Sequence, residues 1–141
     1  MATLEEVTAL VHKVYDQIWT DWYAGIPGAH KATVEVPLSD SGSGYSREEH
    51  RLINPVGQGS LDDYDILHDH GWPIWKVQLV HEMLHEWQYK KPCQPVEAAV
   101  ALHAKYKNKF WGPGHGPDFF QAIVEKAHYF CMNPEELVWR I

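Results

Sequence analysis

The sequence predicts an α+β fold: an N-terminal helix, a small β-sheet, a histidine-bearing helix and further helices toward the C-terminus. Three observations predict it. Apolar residues recur at helical spacing in separated tracts that include Leu4–Trp22, Val80–Trp87 and Phe120–Cys131. Between the first two tracts lie short runs with strand character, such as Val34 and Val36 in alternation. Pro73, Pro117 and Pro134 each stand where the first turn of a helix accepts a proline.

The elements follow in order. Thr3 with Glu6 three residues on is a capping-box pattern, and Leu4, Val7, Val11, Val14, Tyr15, Ile18 and Trp22 then mark one helical face. Gly25, Pro27 and Gly28 end that helix. Ala32–Pro37 is expected as a short strand, and Ser39–His50 as a polar, exposed turn. Arg51–Val56 is a second expected strand, weakened by Pro55. Gly57–Gly71 is an acidic stretch without periodicity, able in principle to lie across a cleft. A helix follows Pro73. Another is expected from Gln94 or Pro95 to about Phe110, and a long last one from Pro117 through Cys131. Asn133-Pro134-Glu135-Glu136 reads as a cap opening one final short turn.

A chain of 141 residues with 45% hydrophobic and 22% charged residues has the size and composition of a single globular domain, 1–141. No 18-residue apolar run is present, so no membrane span is expected. The start, MATLEEV, carries early acids rather than the basic region of a secretory signal. Cys93 and Cys131 are far apart and belong to no CxxC pair, which fits free thiols in a reducing compartment. A cytoplasmic location is expected. The net charge of −7 argues against a general nucleic-acid binder, although Gln88–Pro117 is locally +4 and the remainder −11.

Chemistry concentrates in VQLVHEMLHEWQYK (Val77–Lys90). Positions four apart on a helix lie about 40° apart around the axis and about 6 Å along it. His81 and His85 so placed can reach one ion at about 2.0–2.1 Å each. Glu82, just after the first histidine, is placed to take a proton from a metal-activated water without being a ligand. In a chain of this composition, HExxH arises by chance in about one case in twenty, so the motif alone does not decide. Its placement does: Val80, Met83, Leu84 and Trp87 form an apolar stripe, and the two histidines face the other way. A surface helix with fortuitous histidines is the bland alternative.

A catalytic zinc ordinarily takes three protein ligands and keeps one open position. Glu97, His103 and His115 compete for the third place. Glu97 and His103 share an expected helix and face nearly opposite ways. His115 lies in GPGHGPDF, where flanking glycines let the backbone approach closely and Pro117 fixes the exit. His68 and His70 with Asp69 could form a second site, though a solvated pair in an acidic loop is the commoner case. Trp87, Tyr89, Trp111 and Phe119 read as core or rim aromatics.

HEMLH followed by GHGPDF resembles the SprT-like metalloprotease domain, which binds zinc through HExxH and a later histidine in a GHG-P-[DE]-F-like segment. The resemblance is strongest at these two motifs and covers most of the chain in outline. It implies a zincin-like single domain, one Zn2+ ion held by His81, His85 and His115, and Glu82 as general base. It implies a zinc-dependent endopeptidase acting on protein or peptide substrates, including proteins bound or crosslinked to DNA. In this class of fold the peptide commonly lies as an added strand beside a sheet edge, for which Arg51–Val56 is expected here. Many relatives carry a C-terminal zinc ribbon with four cysteines. This chain has none, so the bare protease-like domain is expected.

HAKYKNKFW (His103–Trp111) alternates lysines with aromatics, a combination used on single-stranded DNA. A weak, salt-sensitive DNA contact through Lys105, Lys107 and Lys109 is one reading; favourable lysines at a helix end is the other. Two rivals to the leading reading remain at this level. One is a short regulatory zincin with Glu97 as third ligand; the other is a zinc-stabilised binding protein without proteolysis.

Overall fold

Helix α1 (Leu4–Tyr23) begins as the Thr3–Glu6 pattern dictates: the Glu6 amide donates to Thr3 Oγ1 at 3.1 Å, and the Thr3 amide to Glu6 Oε1 at 3.2 Å. Val7, Val11, Tyr15, Ile18 and Trp22 form its buried face, joined by Tyr23. Leu4 and Val14, expected on that face, are only half-buried. The computed structural model describes residues 2–62, 71–90 and 94–141. Contacts divide the chain into two units, Met1–Glu82 and Met83–Ile141, and the division falls inside one helix, α3 (Ile74–Lys90).

In the first unit, β1 (Thr33–Glu35), β2 (Gly44–Ser46) and β3 (Arg51–Ile53) form a sheet in the order β1-β3-β2. β1 runs parallel to β3, with Val34 opposite Leu52. β2 runs antiparallel to β3, with Tyr45 opposite Leu52. Leu52 is fully buried at the centre. Two expectations are corrected. Ser39–His50, expected as an exposed turn, contains β2, a strand in which Tyr45 alone favours strand and is set among glycines and serines. Arg51–Val56 is not a sheet edge, because β3 has a neighbour on each side. Past Ile53 the ladder becomes irregular at Pro55: Val56 donates to Pro37 O at 2.9 Å and Ser39 to Val56 O at 3.0 Å.

α1 is tied to this sheet by a buried bond in which the Ala32 amide donates to Tyr15 Oη at 2.9 Å. A short α2 (Gln58–Asp62) opens the acidic stretch, where an irregular segment is expected, and buries Leu61. The remainder of that stretch, residues 63–70, lies outside the described residues.

In the second unit, α4 (Glu97–Tyr106) stops four residues short of the expected Phe110. α5 (Pro117–Lys126) starts at its proline and buries Phe119, Phe120, Ala122 and Ile123. It does not continue to Cys131. A 3-10 turn (Ala127–Phe130) follows, and Cys131 adopts φ 58°, exposed rather than on an apolar face. The Cys131 amide donates to His128 O and Met132 to Ala127 O, closing the carbonyl end of the turn. α6 (Pro134–Arg140) has the expected capping box, with the Glu136 amide donating to Asn133 Oδ1 at 2.9 Å. Among the described residues no helix is long and apolar enough to cross a membrane.

Candidate metal centre

α3 carries His81, Glu82 and His85, and side chains in each unit hold part of it. In the first unit Asn54, fully buried at the end of β3, donates through Nδ2 to Trp75 O at 3.1 Å. Gln78 Nε2 donates back to Pro55 O at 3.0 Å and to Asn54 Oδ1 at 3.3 Å. In the second unit Trp87 Nε1 donates to Glu125 Oε2 at 3.2 Å, and Lys126 Nζ lies 3.5 Å from the centre of the Trp87 ring. The helix differs from the one-sided amphipathic element expected. From Leu79 to Gln88 every residue except His81 is buried, including Glu82, His85, Glu86 and Gln88. Such polar side chains are retained in an interior when hydrogen bonds replace water.

His115 sits in the loop entering α5. Gly114 has φ +96°, and a Cβ there would lie 3.3 Å from Tyr89 Oη and 3.7 Å from His85 Cε1. The backbone conformation requires glycine, and an added Cβ would crowd Tyr89 Oη while only touching the His85 ring. Phe119, fully buried, packs under both imidazoles, with ring centres 4.4 Å from His85 and 4.9 Å from His115. Phe110 stacks on His115 at 5.2 Å. The outcome is an Nε2-to-Nε2 distance of 3.1 Å between His85 and His115.

His81 and His85 are one turn apart on the same continuous helix, so helical geometry fixes their relation. One nitrogen from each of His81, His85 and His115 lies within 4.8 Å of the other two, the one such group of three among the described residues. Two nitrogens bound to one tetrahedral zinc at 2.0–2.1 Å stand about 3.3–3.4 Å apart. The His85–His115 separation of 3.1 Å lies slightly inside that spacing, and a three-imidazole donor set suits zinc.

The second partners of these rings fit the same role. His85 Nδ1 lies 2.8 Å from Gln88 Oε1, and His115 Nδ1 lies 3.4 Å from Gly112 O. Each ring thus has an oxygen on the Nδ1 side and turns Nε2 toward the other ring. Burial pushes the His85 pKa down to about 4, opposed by the Gln88 hydrogen bond, so this ring is neutral at pH 7 and its lone pair is available. Glu82 is moved the opposite way: burial raises its pKa to about 7, and the hydrogen bond from Ser43 works against that rise. Ser43 Oγ donates to Glu82 Oε2 at 2.7 Å.

Glu97 is exposed in the first turn of α4 and His103 packs edge-on against Phe120 at 5.6 Å; neither belongs to the cluster. His68, Asp69 and His70 lie outside the described residues. Trp87 and Phe119 are core residues, whereas Trp111 is 92% exposed on the loop that leads to His115. Lys105 pairs with Glu135 at 3.0 Å, and Lys109 Nζ donates to Val138 O at 2.6 Å and Trp139 O at 3.2 Å. Lys107 is exposed. Gln88, Ser43 and the fully buried Glu86 are absent from the sequence expectations. Only Gln88 left a signal there, as a polar residue three after His85 and seven after His81 on the same helical face. Comparisons with family models, with curated proteins and with solved structures return no match.

Proposed function

We propose that this protein is a SprT-like zinc endopeptidase, with His81, His85 and His115 as metal ligands and Glu82 as general base. The observation that carries the reading is the grouping of those three imidazoles, one contributed by a loop distant in sequence, around a helix bearing HExxH. A bound zinc supplies an activated water near neutral pH and polarises the scissile carbonyl.

Glu82 is the residue that moves the proton. It accepts one from the attacking water and returns it to the leaving amine. Burial raises the Glu82 carboxyl in the metal-free chain, and a cation bound beside it would draw it back toward the ionised form that a base needs. Ser43 donates to Oε2 and so fixes one oxygen of the carboxylate, with the other remaining for proton transfer. Zinc binding alone requires no glutamate after His81, which favours an enzyme over a zinc-stabilised binding protein.

The substrate in this reading is a protein or peptide segment taken as an added strand. With β3 central, β2 is the better edge, since it begins one residue after Ser43 and, among the described residues, pairs only with β3. The third-ligand alternative requires Glu97, which is exposed and outside the cluster. Contact with DNA-associated substrates through Lys105, Lys107 and Lys109 rests on the resemblance. Of these three, Lys105 and Lys109 already bind α6.

The test is cleavage of an unfolded protein by zinc-loaded parent and by Glu82→Gln. The expected result is equal zinc content with turnover lower by about 10²- to 10⁴-fold in the variant. Equal turnover in both would exclude Glu82 as base and with it the protease reading.

A further inference from the structure

Gln88 makes more contacts at this site than a filler of the interior requires, and their chemistry is not interchangeable. Its side chain is 6% exposed. Nε2 donates to Asp118 Oδ2 at 2.7 Å and to Gly114 O at 3.2 Å, while Oε1 lies 2.8 Å from His85 Nδ1. A backbone carbonyl can only accept. The NH2 end of the amide therefore faces Gly114 and Asp118, which sets the amide's orientation without ambiguity. The oxygen must then face His85, and an oxygen cannot donate. His85 Nδ1 consequently carries the hydrogen, and the lone pair of that ring is on Nε2, the atom 3.1 Å from His115 Nε2.

We propose that Gln88 is a positioning residue of the metal centre, one buried amide that fixes two ligands together. Its acceptor end selects the His85 tautomer able to bind metal through Nε2. Its donor end holds the backbone of the residue before His115 and the first-turn acid of α5, which places the third ligand. His81 and Gln88 are seven residues apart on α3, and His85 lies between them on the same face, so the helix aims all three side chains in one direction. Partners of this kind commonly change metal affinity by about 10- to 100-fold when removed. The inference rests on the metal-site reading above, but the tautomer it assigns belongs to the metal-free chain as well.

Two variants separate the two ends of the amide. Gln88→Leu removes both. Gln88→Glu keeps an acceptor for His85 but loses the donor and sets a carboxylate against Asp118. The zinc dissociation constant is measured by chelator competition, and the imidazole ¹⁵N signals of His85 are recorded in metal-free parent and variants, with folding followed by circular dichroism.

The expected result is a pyrrole-type Nδ1 and a pyridine-type Nε2 in the parent and in Gln88→Glu, with a mixture in Gln88→Leu. Zinc affinity is expected to fall about 10- to 100-fold in Gln88→Leu and to fall also in Gln88→Glu. Parent-like affinity within twofold in both folded variants, or an unchanged His85 tautomer in Gln88→Leu, would overturn the proposal. Should the leucine variant not fold, Gln88→Met takes its place. A parent that binds no zinc would sink the metal reading, and the nitrogen signals would still decide the tautomer.

Discussion

Glu82 and His85 are buried ionisable groups three residues apart whose pKa values move in opposite directions, and together they shape the stability of the metal-free chain. Glu82 rises from 4.5 to about 7, so the folded state holds its proton more tightly than the unfolded chain does. The resulting stability is fully present below pH 4.5 and is lost as pH rises through about 7. His85 falls from 6.5 to about 4, so stability is lost as pH falls from 6.5 toward 4. Each shift corresponds to about 3 kcal/mol, and between pH 4.5 and 6.5 they oppose. Metal-free Glu82→Gln is therefore expected to gain up to about 3 kcal/mol over the parent at pH 8 and little at pH 4.5. Urea unfolding at the two pH values reads this directly; a parent more stable than the variant at pH 8 would contradict it. At Gly114 the prediction concerns space and backbone together. Gly114→Ala should lose about 1–3 kcal/mol from a strained φ of +96°, read by urea unfolding of the metal-free protein, and the added methyl would press on Tyr89 Oη. HExxH and the GHG segment were legible in sequence because they are local patterns of residue type. Ser43 was not, because nothing local links a serine to a glutamate 39 positions later.

Among the elements, the caps of α1 and α6 and the proline start of α5 followed the sequence, while α4 begins at Glu97 rather than Gln94 or Pro95, α2 was not expected, and lengths and neighbours differed. Thr3 and Asn133 cap their helices with the expected glutamates, since the partner is three residues away in each case. β2 escaped notice because its pairing with β3 supplies what its composition lacks. α4 ends early, and Lys109 beyond it turns to the last carbonyls of α6, where a cation is favoured. The HAKYKNKFW lysines therefore serve partly as ties between α4 and α6. The attachment of α3 to β3 depends on Asn54, whose amide is fully buried. Asn54→Ala is expected to cost about 1–3 kcal/mol, because the Gln78 amide and the Trp75 carbonyl lose a buried partner. Thermal or urea unfolding of the metal-free protein measures it, and a cost below a few tenths of a kcal/mol would mean that the other contacts of α3 suffice.

For the whole molecule, three candidate ligands drawn from two places in the chain would make metal binding a contribution to folding. A metal that binds the folded state alone adds stability by mass action, about 4 kcal/mol when free zinc is a thousandfold above its dissociation constant. Chelator treatment is expected to lower the unfolding temperature of the parent, with zinc restoring it. His115→Ala should start near the metal-free value and respond far less to either. Equal responses in parent and variant would remove His115 from the ligand set. Calorimetric scans with and without chelator make the comparison, and zinc per chain after dialysis checks it independently.

By itself the sequence determined the broad fold class, the helix caps and the residue types able to bind zinc, because capping, periodicity and HExxH are relations among residues close in the chain. The tertiary structure decided which distant residue joins the pair: His115 enters the cluster, while Glu97 and His103 stay outside it. It also decided which strand is central, where α5 breaks, and that the polar face of α3 is buried and bonded rather than exposed. These depend on packing, where the gain comes from partners that sequence separation conceals. A lone glutamine three residues after a histidine is unremarkable in one dimension. Only the placement of Gly114 and Asp118 against it joins its amide to His85 on one side and to the segment carrying His115 on the other.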